Sequence, residues 1–473
     1  MTLTARSAGR RYVGLTALRW LPVGVSAPVT VLLAQSRGLT VAQIGLVFAV
    51  YGLVCLVLEL PTGGLADAIG RRPVLVLSGS LHLVGLLVLA VAQNLPAFIA
   101  AMSLVGVGRA LDSGPLESWY VDAVHQVTPG ADVTPGLSRA GIADGVALSL
   151  GAVLGGVLPA LVNGSSSALA LPILVAAGLE LVHLAAVIRL VTPLGPARDV
   201  GARASLRGSL RDVLTIVRDT VRLAARDQAL RLLLAITFIA GMVLTTLELL
   251  GPLRFAELVG DRTEGSAVFG IVMAVSFGAA ALGSAFATTA RRVARGSVAR
   301  ATAVLLVLCA LALVGIALSP TAVLAGTAYA VFYLWNGAGW PLRKQVMHGR
   351  VDAARRATMV SASSFALMLG GITGSLSLPL LTDWTTLSTG FAAAGGLLLV
   401  SAALSIRLPP ASPTEDAGDD AARPEAAVLS RDFQRRPQAA LAGRDEALTV
   451  PPIRPTAAAG GQGGDPPQRL ARR

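Results

Sequence analysis

Arg19, Glu59, Arg109, Asp112 and Glu248 each stand inside a long apolar stretch of a 473-residue chain. At the centre of a membrane-spanning helix such a charge costs on the order of 3 kcal/mol, so it faces a wet cavity or finds a partner. The chemistry open to these residues is proton exchange and charge pairing. A buried carboxylate whose surroundings alternate between wet and dry takes up a proton in one state and releases it in the other, and Asp112 is the first candidate. Arg109 lies three residues earlier on the same helical face, within reach for a local ion pair. Arg19 either joins that site or snorkels to the nearer surface. Glu59 is placed to pair with Arg19 or with Arg71 or Arg72, as a static gating pair or as a proton carrier. Glu248, near the outer end of the seventh span, and Trp335, Asn336 and Trp340 of the tenth are the candidates for the substrate cavity, with rings on which an amphipathic molecule could stack and an amide to hydrogen-bond it. As simpler alternatives, Trp340 anchors at an interface and Trp335 packs on a neighbour.

Long helices in a bilayer are the elements able to position such residues. The chain is 54% hydrophobic and 14% charged, against about a quarter charged in a soluble globular protein. Runs of roughly 20 apolar residues cross a bilayer. Here they recur as twelve candidate spans, at about 12–34, 41–62, 74–93, 96–118, 139–163, 168–190, 231–253, 265–288, 299–318, 321–342, 358–381 and 386–406. Arg6, Arg10 and Arg11 precede the first span, and Arg71, Arg72, Arg291, Arg292, Arg343 and Lys344 fall in breaks after even-numbered spans. On the other side Arg254 and Arg262 sit among Glu257, Asp261 and Glu264. The positive-inside rule then puts both termini in the cytoplasm.

The organisation expected is a six-helix half over 1–190, a cytoplasmic central loop over 191–230, a second six-helix half over 231–407 and a disordered cytoplasmic tail over 408–473. In the central loop Arg207, Arg211, Arg218 and Arg222 recur at helical spacing beside Leu206, Leu210 and Leu214, the pattern of an amphipathic helix on an anionic leaflet. The net charge of +12 resides in short loops rather than on a compact basic domain, which argues against nucleic acid. Cys55 and Cys309 lie in apolar spans without a partner at metal or redox spacing.

Between the second and third spans the sequence reads GGLADAIGRR, from Gly63 to Arg72. Gly63, Gly64 and Gly70 permit a tight turn and close helix approach, Asp67 presents a carboxylate, and Arg71 and Arg72 supply donors. The segment resembles the GxLADxxGRR signature of the major facilitator superfamily. ELPTGGLAD from Glu59, GVGRALDSGPLESWYVDA in the fourth span and RRATMVSASS from Arg355 resemble further stretches of that family, with Arg109 and Gly114 at a slightly altered distance. GAVLGG, carrying Gly151, Gly155 and Gly156, resembles its helix 5 antiporter motif GPxxGG, with Ala152 in place of the proline. The second-half counterpart of the loop, ARRVARG from Ala290, keeps the basic residues and lacks the acid.

The resemblance covers about residues 12–407 and implies an all-α integral membrane protein of twelve transmembrane helices in two six-helix halves, the major facilitator fold. It implies a central cavity lined by helices 1, 4, 7 and 10, with helix 6, and so Glu180 and His183, at the periphery. It also implies that Asp67, Arg71 and Arg72, on a turn set by Gly63 and Gly70, lock the halves together on the cytoplasmic side. The implied activity is secondary active transport of a small molecule, with proton-coupled export as the leading version. Ala152 keeps open the uptake or exchange of a sugar, organic acid or other nutrient, and a non-transporting sensor or scaffold is the alternative of another class. The sequence offers no nucleophile with its base, no metal-ligand cluster and no phosphate cradle, so neither an enzyme activity nor a cofactor is expected. The expected setting is the inner (plasma) membrane, as a monomer, with substrate, protons and lipid as partners.

Overall fold

The structure, a computed structural model, describes residues 4–162, 168–193, 227–348 and 353–408; the side chains of 60–64, 67, 68, 348 and 353–358 lie outside that description. The amphipathic helix and the tail expected from sequence fall almost wholly outside the described residues. Among the described residues the chain is helical and has no strand. The first half holds α1 (Ala5–Ser36), α2 (Val41–Ile69), α3 (Arg71–Val91), α4 (Leu95–Leu111), α5 (Pro115–Val127), α6 (Thr134–Val157) and α7 (Leu171–Leu190). The second holds α8 (Gln228–Val259), α9 (Arg262–Ala285), α10 (Ala287–Val293), α11 (Val298–Leu318), α12 (Ala322–His348), α13 (Ala353–Trp384) and α14 (Leu387–Ile406).

Eleven segments are long and apolar enough to cross a membrane, with α4 and α5 together forming one of them. The twelfth span is α12, whose apolar run is diluted by Tyr329, Tyr333, Trp335 and Asn336. The protein is therefore a multi-pass membrane protein, and with α12 the described residues hold twelve membrane-length helical segments, six in each half. The face where α1 begins and α14 ends is called here the terminal face.

Local sequence sets the element ends. Thr4 with Ser7, and Thr40 with Gln43, form capping boxes that satisfy the first free amides of α1 and α2. Gly70, at φ 89°, makes the turn from α2 directly into α3, a conformation that a side chain would strain. The fourth span, expected as one helix over 96–118, is two. Gly114 at φ 102° breaks it, and Pro115 supplies no amide to continue the ladder. Asp261 caps α9 by accepting from the Thr263 side chain and the amides of Thr263 and Glu264, bonds that hold its carboxyl below the usual range.

The halves are built alike. In the first, Gly24 of α1 meets Leu148 and Gly151 of α6, and Gly155 abuts the carbonyl of Val25. In the second, Gly241 of α8 meets the carbonyl of Leu367 on α13, and Gly370 meets that of Phe238. Small residues let these backbones touch, which is how helices associate where lipid removes the hydrophobic driving force. Gly337, Gly339 and Pro341 all lie within one continuous helix, α12. Gly337 there packs against the carbonyl of Ala280, and Gly283 of α9 packs against that of Leu334.

Candidate functional site: a cavity between the halves

Both halves wall a cavity of about 440 Å³. Phe48, Tyr51, Arg109 and Glu248 also line a second one of about 430 Å³, which runs between α2, α4, α8 and α13. Glu59 and Ser364, both on the terminal side of the bundle, line that second space.

Arg19 forms an ion pair with Asp112 and donates a further bond to the Asp112 carbonyl at 3.2 Å. The local pair expected between Arg109 and Asp112 is not formed. Asp112 is the C-cap of α4, where the helix has ended, so its side chain turns to α1 rather than back along the face of Arg109. One Asp112 oxygen, Oδ1, is buried without a hydrogen-bond partner. Arg109 lies with its guanidinium 4.6 Å from the ring of Trp20, and Arg19 sits 5.1 Å from the same ring. Among the described residues no carboxylate is within ion-pair distance of Arg109.

The second half faces these cations with aromatic rings. Tyr329 and Tyr333 of α12 stack at 5.3 Å, with Phe269 and Phe277 of α9 edge-on to them at 5.8 and 6.5 Å. Glu248 of α8 is exposed into the cavity beside these rings, with no hydrogen bond or ion pair among the described residues. Glu59 lines the second cavity on the same side as Arg109.

The other sequence candidates go elsewhere. Trp335 faces a separate apolar groove between α10, α11 and α12. Trp340 carries Arg343 at 5.0 Å over its ring, and Arg343 donates to Asn336 at 3.4 Å. Trp340 and Arg343 border a further space beside α8 and α13. Arg343, read from sequence as a loop cation, is a buried residue of α12. Arg71 pairs with Asp122 and donates to the Ser118 carbonyl at 2.7 Å, so it ties α3 to α5 within the first half. Arg72 donates to the Ile188 carbonyl of α7. The side chains of Gly63 and Asp67 lie outside the description, while Gly70 makes the turn already noted. Gly151 and Gly155 pack α6 on α1, and Gly156 packs it on Ser266 of α9 in the other half.

Glu180 and His183, expected at the periphery, line the central cavity together with His82. Sequence reading also passed over Trp20, Tyr51, Tyr329 and Tyr333. An aromatic residue in an already apolar run is a signal only once the helix rotation is known.

Four hydrogen bonds that join the halves lie at the face opposite the termini. Asp383, at the end of α13, accepts from the amides of Val41 and Ala42 at 3.1 and 3.0 Å. Arg262 donates to Gln35 at 3.3 Å, and Ser266 donates to the Gly156 carbonyl at 2.9 Å. This face is sealed by backbone-level contacts between α2 and α13 and between α6 and α9.

The model of the Major Facilitator Superfamily matches residues 13–343. The inner membrane transport protein YajR of Escherichia coli (strain K12) is 26% identical over 144 residues, a match covering 30% of this chain and 30% of that protein's length. Solved structures of similar fold include the nucleoside transporter NupG, 13% identical, with 85% of this chain and 98% of that one covered at a TM-score of 0.66. The peptide transporter POT in complex with sulfate is 15% identical, with 84% and 93% covered at 0.64. The human organic anion transporter MFSD10 is 18% identical, with 85% and 99% covered at 0.55. The likenesses to solved structures concern the fold alone. The family match takes in more than half of the chain and reaches into both halves of the bundle: the chain belongs to the major facilitator superfamily.

Proposed function

We propose that the chain exports a small amphipathic compound in exchange for protons, with the terminal face in the cytoplasm. The observation that carries this reading is the pair of charges on opposite walls of one cavity that have no ion-pair partner among the described residues, Arg109 from the first half and Glu248 from the second. A compound with an apolar body fits between the rings of Tyr329, Tyr333 and Trp20, and its cationic or donor end neutralises Glu248. Proton and compound then compete for one carboxylate, which makes their movements alternate rather than coincide. Asp112 is the second proton-exchange candidate, because protonation would release Arg19 to the cavity. In this reading Arg71, Arg72 and Asp67, beside the turn that Gly70 sets between α2 and α3, close the terminal face when the opposite face opens, with Gly63 inside α2. Glu59 and Trp340 line spaces on the route from that face.

The rival direction, uptake or exchange of a nutrient, draws its support from Ala152, which stands where the antiporter motif has proline. Transport separates the two. Compounds are first screened by thermal shift on the purified protein, since a ligand of the folded state raises its melting temperature. In energised everted vesicles the lumen is acidic, and export predicts accumulation of the compound that collapses with a protonophore. Accumulation in whole cells with none in everted vesicles would establish uptake instead.

A further inference from the structure

Glu180 of α7 is 1% exposed, and each of its oxygens meets a different imidazole. Oε1 lies 3.0 Å from Nδ1 of His183, one turn along α7, and Oε2 lies 3.2 Å from Nδ1 of His82 on α3. Gly79, one turn before His82, makes the room: a Cβ there would stand 3.2 Å from Oε1. All three side chains border the central cavity.

A carboxylate with a ring nitrogen on each oxygen is satisfied when both Nδ1 atoms carry protons. Each Nε2 is then a bare lone pair or bears the second proton of an imidazolium. With both rings neutral the cluster holds one negative charge; with one imidazolium it is neutral, the cheaper state in a low-dielectric interior. The two rings are not equivalent. Nε2 of His183 is buried with no hydrogen-bond partner, and a charged N–H left without an acceptor costs more to bury than a lone pair. The His82 side chain is 18% exposed against 6% for His183, so the second nitrogen of His82 can meet cavity water.

We propose that His82, Glu180 and His183 form a proton-binding site of the cavity wall, in which Nε2 of His82 takes a proton from cavity water and returns it. His183 stays a neutral Nδ1–H donor, and Glu180 balances His82 when that ring is charged. The charged groups that face the cluster are Arg19 of α1, Arg109 and Asp112 of α4, and Glu248 across the cavity. Arg19 and Asp112 neutralise each other. From α2 the cavity receives Phe48 and Tyr51, and from α6 it receives Leu148, one turn from Asp144. None of these is hydrogen-bonded to the cluster among the described residues. The site rests on the export reading only for its use in transport; protonation itself is measured without any transport.

The chain has four histidines, few enough for histidine-selective isotope labelling. His125 supplies the contrast, because its Nε2 lies 3.2 Å from the Ala131 carbonyl and therefore carries the proton in the neutral ring. Nuclear magnetic resonance of the full chain in lipid nanodiscs is expected to show at least two Nδ1-protonated rings. The one missing in His82→Gln is expected to exchange its second proton as the medium is taken from acid to alkaline, while the one missing in His183→Gln keeps a single proton throughout. If either variant does not fold, the wild-type spectrum still decides. Fewer than two Nδ1-protonated rings, or two that never change charge over that range, overturns the proposal. A titrating His82 in a protein without proton-driven transport supports the site and removes the export reading alone.

Discussion

Asp112 pairs with Arg19 across two helices rather than with Arg109 along one, and this single difference fixes which cation is free to meet a ligand. Asp112→Asn removes the negative charge paired with Arg19 and leaves that cation the backbone carbonyl of residue 112 and the ring of Trp20. The pair is partly open to the cavity, so the expected loss is about 1–3 kcal/mol, read as a lower melting temperature. Adding Arg19→Gln is expected to recover part of it, and simple additivity of the two losses would show that the pair is not coupled. Sequence alone found Arg19, Arg109, Asp112 and Glu248 because a charge in an apolar run stands out. It did not find Trp20, Tyr329, Tyr333 or His82. A helix that is apolar all round offers no face to read, so the direction in which an aromatic ring or a lone histidine points emerges only from packing.

At the scale of elements, the glycines of α6 show how closely its neighbours approach. A Cβ at Gly155 would collide with the Val25 carbonyl, whereas one at Gly145 of the same helix meets nothing within 4 Å. Gly155→Val is expected to cost about 1–3 kcal/mol or to prevent folding, through overpacking against α1. Gly145→Ala is expected to be neutral or slightly stabilising, because alanine favours the helix. Thermal unfolding of the two variants side by side tests this, and equal effects would contradict the assigned packing. The spans themselves were legible from hydropathy, and the GAVLGG spacing correctly marked a close contact, though not that Gly156 reaches across to Ser266 of the other half. The split of the fourth span was not anticipated. Gly114 and Pro115 sit within an otherwise continuous apolar run, whose hydropathy reports length and not backbone direction.

At the scale of the whole molecule, the twelve spans form two like halves, sealed at one face by Asp383, Arg262 and the contact of α6 with α9. The cavities continue toward the other face, between α2, α4, α8 and α13. Rocking of halves about a shared midplane site is the motion such repeats allow. Sequence carried the architecture through the count of spans and the GGLADAIGRR loop. The arrangement of the cavity depended on contacts between helices far apart in the chain, such as Asp383 with Val41, which no local pattern encodes. The central claim is that proton and compound alternate on Glu248. Its direct test is accumulation of a compound identified by thermal shift in proteoliposomes under an imposed pH gradient, for the wild type and for Glu248→Gln. The account predicts gradient-driven accumulation in the wild type and none beyond equilibration in Glu248→Gln. Accumulation by that variant equal to the wild type, or accumulation by the wild type indifferent to the gradient, would contradict it.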